Sequence, residues 1–367
     1  MRLNNVWCYR NMLLSSGFVR SLWNSRRNLT AVANDLPLAA GPYMAELDVT
    51  YRCNLRCQMC QRWRDPRRGE MSLREYQSLS AEFHALGVHQ ISIAGGEPLL
   101  RKDIFRIIAG FAERGMSVNL CTNGMLMEKY RNQILSSGAS CVTVSMDGAT
   151  ANRHDQIRGR AGSWMQIERG IRSFLEQRRE RRPILRVRMS VSNCNAHEMR
   201  LFYDRWRGAA DDVLFQPVHL CWDAFYCGLP ESELVLDASV IAEQLHGTPM
   251  ARDPYMQAWV ASLNACAGYP AIPCYAGVLM TRIDPWANVY PCLEQHVCVG
   301  SVRSGGFLAV WKSTPFHEER RRLASRRNCS CWYNNTALVG HFGAMIRKTI
   351  VPGRRRWYPE RPQEVSP

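Results

Sequence analysis

The chain has 367 residues, 46% of them hydrophobic, with a formal net charge of +15 and fifteen cysteines. That length holds one large α/β domain plus a smaller one, and the hydrophobic share excludes a disordered chain. No apolar run approaches the roughly 20 residues of a membrane-spanning helix, and no helix-turn-helix, RNA-binding or zinc-finger signature supports nucleic acid as a partner.

The positive charge is almost all arginine, since lysine occurs only as Lys102, Lys129, Lys312 and Lys348. Such a balance favours anionic partners, or is simply a solvated basic surface. The cysteine count is odd and the main cluster has metal rather than disulfide spacing. Both point to a reducing compartment, and so to a cytoplasmic protein.

Residues 1–40 form a basic amphipathic segment. It has no acidic residue before Asp35, carries Arg2, Arg10, Arg20, Arg26 and Arg27, and spaces Leu14, Phe18 and Leu22 at i, i+4, i+8, with Val19 and Trp23 beside them. Three readings follow: a helix packed on the base of the next domain, which is preferred; a helix lying on an anionic membrane surface; or an organelle transit peptide. Ser15-Ser16-Gly17 interrupts the apolar core and argues against a secretory signal.

Residues 41–220 alternate strand-like and helix-like segments, which predicts a parallel sheet with outer helices. The strands are expected at Ala45–Thr50, Gln90–Ala94, Ser117–Cys121, Cys141–Ser145, Leu185–Val191 and Val213–His219. Helices are expected at Leu73–Leu86, behind the capping-box pattern Ser72-x-x-Glu75, and at Ile104–Glu113, Met127–Ser136, Met165–Gln177 and Glu198–Trp206. Six units are too few for a closed eight-fold barrel. The distinctive residues follow the C-terminal ends of these strands, where barrels of this type assemble their sites. Gln216, His219, Asn193 and Arg158 are cavity candidates on that ground, and no catalytic acid or base can be named.

After the first strand comes Cys53-x3-Cys57-x2-Cys60. A loop this tight folds three thiolates around one face of a metal cluster, and three suit an iron–sulfur cube with one iron left open. Zinc, which prefers four ligands, and a redox dithiol at Cys57 and Cys60 are the alternatives. After the second strand, Gly95-Gly96-Glu97-Pro98 has two residues without Cβ atoms, so its backbone can take positive φ and approach a ligand closely. Thr122-Asn123-Gly124 follows the third strand, and Ser145-Met146-Asp147-Gly148 the fourth.

Residues 221–265 read as a connection, broken by Pro230, Gly247, Pro249 and Pro254 around one short helix at Ser239–Leu245. Cys221, Cys227 and Cys266 have no metal spacing and default to core packing. Residues 266–340 contain Cys274, Ile283-Asp284-Pro285, Asn288-Val289-Tyr290-Pro291-Cys292, a helical stretch at Phe316–Ser325, then Cys329-Ser330-Cys331. Residues 341–367 form a basic tail with Arg347, Lys348 and Arg354-Arg355-Arg356.

The cysteine triad, the Gly-Gly-Glu-Pro run, the Ser-Met-Asp-Gly run and His154-Asp155-Gln156-Ile157-Arg158-Gly159, in this order, resemble the radical S-adenosylmethionine (SAM) superfamily. The resemblance implies a partial (β/α)6 TIM-like barrel over residues 41–220. It further implies a [4Fe-4S] cluster on Cys53, Cys57 and Cys60, SAM methionine held by Gly95, Gly96, Glu97 and Pro98, and its ribose near Ser145 and Asp147. Asn123 is a weaker cofactor candidate, since its segment also reads as a turn. Met59 stands where the family often has an aromatic residue, which puts stacking on adenine in doubt.

The segment 266–340 is similar to the family's small twitch or SPASM extensions. That implies one auxiliary [4Fe-4S] cluster on Cys274, Cys292, Cys329 and Cys331, with Cys298 competing. A zinc site or a cluster-free fold is the alternative. The turn before Cys292 lacks the family's usual glycine. The implied activity is reductive cleavage of SAM and hydrogen-atom abstraction, with a two-electron oxidation of a small molecule as the leading expectation. The implied redox partner is an electron donor such as flavodoxin or ferredoxin. A peptide maturase with a separate leader-binding partner and a non-catalytic iron–sulfur scaffold are the alternatives.

Overall fold

A computed structural model describes residues 16–324, apart from 39, 66, 219–231, 233–235, 265–273 and 295–296, together with scattered positions between 331 and 346. His219, the expected end of the sixth strand and a cavity candidate, and the cysteines Cys221, Cys227, Cys266 and Cys329 lie outside the described residues, as does the basic tail from 347 onward.

Six parallel strands run in sequence order: β1 (Met44–Asp48), β2 (Gln90–Ala94), β3 (Ser117–Thr122), β4 (Cys141–Ser145), β5 (Ile184–Val191) and β6 (Asp212–Pro217). Each pairs with the next, so the sheet curls as an open, partial barrel. The helices between them are α2 (Leu73–Leu86), α3 (Ile104–Ala112), α4 (Met127–Ser136), α5 (Ala151–Arg158), α6 (Ser163–Gln177) and α7 (Met199–Trp206). The capping box at α2 is present in full, because Ser72 Oγ accepts from Glu75 N while the Glu75 carboxylate accepts from Ser72 N. Gly87 closes the helix at φ 73°.

Successive strand residues face opposite ways. One face sends Leu47, Ile93, Leu120, Val144 and Val187 into the main apolar core. The other carries two rows set by the register, Glu46, Ser92 and Asn119 in one and Cys121, Thr143 and Arg186 in the next. Closed barrels fill that interior with branched apolar residues. Here the lumen is polar, and Cys121, Arg186 and Arg188 remain partly exposed within it.

The N-terminal helix α1 (Ser16–Ala33) packs on the domain base, as preferred from sequence. Leu29 and Val32 are buried, Phe18 meets His89 edge-on at 5.5 Å, and Asn28 Nδ2 donates to Ala40 O, Gly41 O and Val278 O. Arg20 donates to His84 O and Ala85 O, so its charge serves the carbonyl end of α2. Two helices ahead of residue 280 are additions to the expected set. α5 is too polar to show a clear apolar period, and α9 (Pro254–Asn264) begins at a proline read from sequence as an interruption. Proline is favoured at a first helical position, and Asp253 Oδ1 accepts there from Tyr255 N and Met256 N. α8 (Ala238–Leu245) lies close to its expected place.

The C-terminal segment does not stand apart from the barrel sheet. β7 (Met280–Ile283) pairs parallel with β1, on the side opposite β2, and β8 (Asn288–Tyr290) and β9 (Gly300–Ser301) continue outward antiparallel. Then follow α10 (Phe307–Trp311) and α11 (Thr314–Ala324). No helix among the described residues is long and apolar enough to cross a membrane.

Candidate active site

The cysteine loop leaves the end of β1 and is pinned by the end of α5. Gln58 N donates to Ile157 O at 2.9 Å and Arg56 N to Arg158 O at 3.3 Å. All three thiols are half-buried and unbridged. Burial pushes each thiol above its ordinary range, and each feels the charge of another of the three. Every thiol also has a donor. The Asn123 amide lies 3.7 Å from Cys53 Sγ, the Arg158 guanidinium 3.8 Å from Cys57 Sγ, and the Arg62 backbone N–H bonds Cys60. Such donors suit sulfurs that carry negative charge when they bind metal. The donor set therefore fits a thiolate-held cluster, and no three His, Cys, Asp or Glu side chains among the described residues are drawn together around a single ion.

The double glycine is needed, but for a different immediate reason than ligand approach. A Cβ on Gly95 would lie 2.2 Å from Thr50 O, and one on Gly96 2.3 Å from Arg52 O. The loop lies directly on the cysteine loop, with Gly96 N donating to Thr50 O at 2.6 Å and Glu97 N to Arg52 O at 2.8 Å. With those N–H groups in use, carbonyl oxygens are what the loop can turn toward an amino group. The Glu97 side chain braces the loops. It is fully buried and accepts from Leu99 N, Thr122 Oγ1 and Asn123 N. Burial pushes its carboxyl up to about 7 against those three hydrogen bonds.

Asn123 proves to be more than a turn residue, because its amide also donates to Asn54 Oδ1 at 2.7 Å within the cysteine loop. Ser145 lies at the lumen with its hydroxyl accepting from Arg188 Nη2 at 3.2 Å. Asp147, expected near the ribose, has its own partners within the protein. It is fully buried, pairs with Arg158 Nε at 2.7 Å and accepts from Ser190 N at 2.8 Å, so its carboxylate is turned into the protein. His154 Nδ1 accepts from Asp147 N at 3.2 Å, and burial lowers its pKa to about 4, with Arg158 adding to the effect. Asn193 is exposed and donates to Ser232 O. Its neighbour Asn195 is the buried one, donating to Asp147 O and Ser190 O. Gln216 is buried at the end of β6, and Met59 is buried rather than presented to a ring.

Arg62 and Arg188 escaped the sequence reading. Arg62 pairs with the fully buried Asp48 at 2.8 Å and also reaches Gly95 O at 3.3 Å, linking the cysteine and glycine loops. The alternating pattern of β5 places arginines at 186 and 188 on the lumen side, and that was the available signal. On the C-terminal side Cys274 is half-buried ahead of β7, Cys292 is buried just after β8, Cys331 is half-buried and Cys298 is exposed. A Cβ on Gly277 would sit 3.1 Å from Pro291, so the chain just after Cys274 runs against the residue preceding Cys292.

The Radical SAM superfamily profile matches residues 47–186. The chain is 26% identical over 316 residues to mycofactocin maturase MftC of Mycobacterium ulcerans, covering 83% of this chain and 84% of that protein. It is 30% identical over 316 residues to the AdoMet-dependent heme synthase of Nitratidesulfovibrio vulgaris, covering 78% and 84% respectively. Among solved structures, SuiB of Streptococcus suis bound to S-adenosylmethionine superposes with a TM-score of 0.64 at 15% identity, covering 88% of this chain and 78% of that one. The same protein bound to its precursor peptide SuiA gives 0.62 at 14% identity, covering 83% and 72%.

Proposed function

This chain belongs to the radical SAM superfamily, and from that premise we propose that it is an enzyme that modifies a peptide by hydrogen-atom abstraction. The observation that carries an active site is the seating of the double-glycine loop on the backbone that leads into three partly exposed thiols, each with its own donor. In this reading Cys53, Cys57 and Cys60 hold a [4Fe-4S] cluster, the Gly95–Pro98 carbonyls receive the SAM amino group, and Ser145 with Arg188 lines the cofactor's outer side. Bound there, cluster and SAM supply a 5′-deoxyadenosyl radical. The polar lumen walled by Cys121, Arg186 and Arg188 then receives the reacting end of the substrate, and its arginines suit a carboxylate-bearing one. Cys274, Cys292, Cys329 and Cys331 are the proposed ligands of an auxiliary cluster, and the basic surface would dock an acidic electron donor.

The small-molecule oxidation expected from sequence becomes the second reading. The maturase relative and the peptide-bound structural neighbour support a peptide substrate, while the heme synthase relative supports a small molecule. The test is anaerobic reconstitution with iron and sulfide, then reduction with SAM and extracts of the source cells grown on deuterated medium and split by size. Deuterium entering 5′-deoxyadenosine from the peptide fraction is the expected result. Transfer from the small-molecule fraction alone would replace the peptide reading with the second one, and a reducible cluster that never forms 5′-deoxyadenosine would leave a scaffold. Iron analysis should give about eight irons per chain, falling to about four in Cys53/Cys57/Cys60→Ala, if the auxiliary cluster exists.

A further inference from the structure

Arg158 joins three parts of the molecule that the sequence keeps apart. It is the last residue of α5 and is buried. Its Nε faces Asp147 Oδ2 at 2.7 Å, and its Nη1 lies 3.8 Å from Cys57 Sγ. Its position is over-determined. Asp147 is held in turn by Ser190 N, and its own N–H by His154 Nδ1. On the backbone side Arg158 O accepts from Arg56 N, and Gly159, at φ +68°, lets the chain pass so close that a Cβ would sit 2.4 Å from Arg56 O. The guanidinium cannot leave Cys57 without breaking its ion pair with the fully buried Asp147.

We propose that Arg158 is a positioning residue that raises the reduction potential of the cluster held by Cys53, Cys57 and Cys60, with Asp147 as its opposing weight. The inference rests on the reading of that loop as the cluster site. Reduction adds one electron, supplied by the external donor, and its charge spreads onto the ligating sulfurs. A fixed cation against one sulfur, in a water-poor site, stabilises the reduced form more than the oxidised one. Hydrogen bonds to ligand sulfur act in the same direction. Asp147 also faces the region of Cys57 but through Arg158, so its negative charge offsets part of the effect. Cys53 and Cys60 receive a neutral amide and a backbone N–H, which makes Cys57 the sulfur with a charged side-chain donor among the described contacts.

The consequence is a pair of variants with opposite signs, measured without SAM or substrate. The reconstituted full chain is titrated with dithionite under mediator control, and the reduced cluster is followed by electron paramagnetic resonance beside an iron count. Arg158→Gln should keep its iron, and its reduced-to-oxidised ratio at a fixed potential should fall about tenfold, a downward shift of about 59 mV for one electron. Asp147→Asn should move the midpoint upward, and Arg158→Lys should lie between wild type and Arg158→Gln. Midpoints unchanged in both variants, or displaced in the same direction, would overturn the proposal. So would loss of iron in Arg158→Gln, since Arg158 would then be a clamp for the loop and not a tuner of its potential. A wild-type chain that never yields a reducible cluster would instead remove the functional reading on which this one stands.

Discussion

His154 shows how a residue in a family-like run can be structural. Its buried ring accepts from Asp147 N and so must stay neutral, with its pKa lowered to about 4. Because the unfolded ring titrates near the ordinary value, its contribution is complete above about pH 6.5 and is lost as pH falls toward about 4, at most roughly 3 kcal/mol. Urea midpoints measured across that window should drop on acidification, with a shallower fall in His154→Gln. Gly96 makes a sterically sharper case. Gly96→Ala would drive a Cβ into the Arg52 carbonyl, so it should retain the fold by circular dichroism yet lose most iron on reconstitution. Ala287 is the counterpart in the C-terminal turn, where the family usually has glycine: it takes φ 72° and is fully buried. Left-handed backbone costs an L-residue roughly 1–2 kcal/mol, which Asp284 offsets by accepting from Trp286 N, Asn288 N and Tyr290 Oη. Ala287→Val should therefore lower stability by about 2 kcal/mol or more, while Ala287→Gly should not lower the Tm.

At the scale of elements, α2 is the strut between barrel and extension. Glu75 pairs with Arg303 at 2.7 Å, and one full heptad later the Glu82 carboxylate accepts from Phe307 N and Leu308 N at the start of α10. An acidic group at a helix N-terminus satisfies open N–H groups and complements the helix dipole. Arg303, followed by the Ser72 bonds, lowers the Glu75 pKa to about 2. Its contribution is thus whole above about pH 4.5 and disappears as pH falls through about 2, and solvent screening keeps it small. Glu82→Ala should cost about 1 kcal/mol and speed proteolytic cutting around the start of α10, with little change at the cysteine loop. The same scale explains two sequence misreadings. Pro254 opens a helix because its missing N–H would be idle there, and α5 escaped notice because it is recognised by its contacts, not by an apolar stripe.

Across the whole molecule, the net charge of +15 is an argument about encounter rather than fold. If an acidic flavodoxin supplies the electron, SAM cleavage driven by it should fall steeply between about 0.05 and 0.5 M salt, because the Debye length shrinks severalfold. Cleavage driven by dithionite should change far less. Equal salt dependence of the two would count against docking through the basic surface.

The sequence alone determined the barrel alternation, most strand and helix limits, and the placing of the cysteine, glycine and serine segments at the strand ends. Each of those is written in local spacing, period or steric need. What only the tertiary structure decided was the use of each group: Asp147 turned inward onto Arg158, Glu97 bracing the loops, Arg62 and Arg188 brought to the site, and β7 laid against β1. Those outcomes depend on which buried charge meets which partner across tens or hundreds of residues. A chain read residue by residue carries the charges, but only folding brings them within a few ångströms, where burial makes the pairing compulsory.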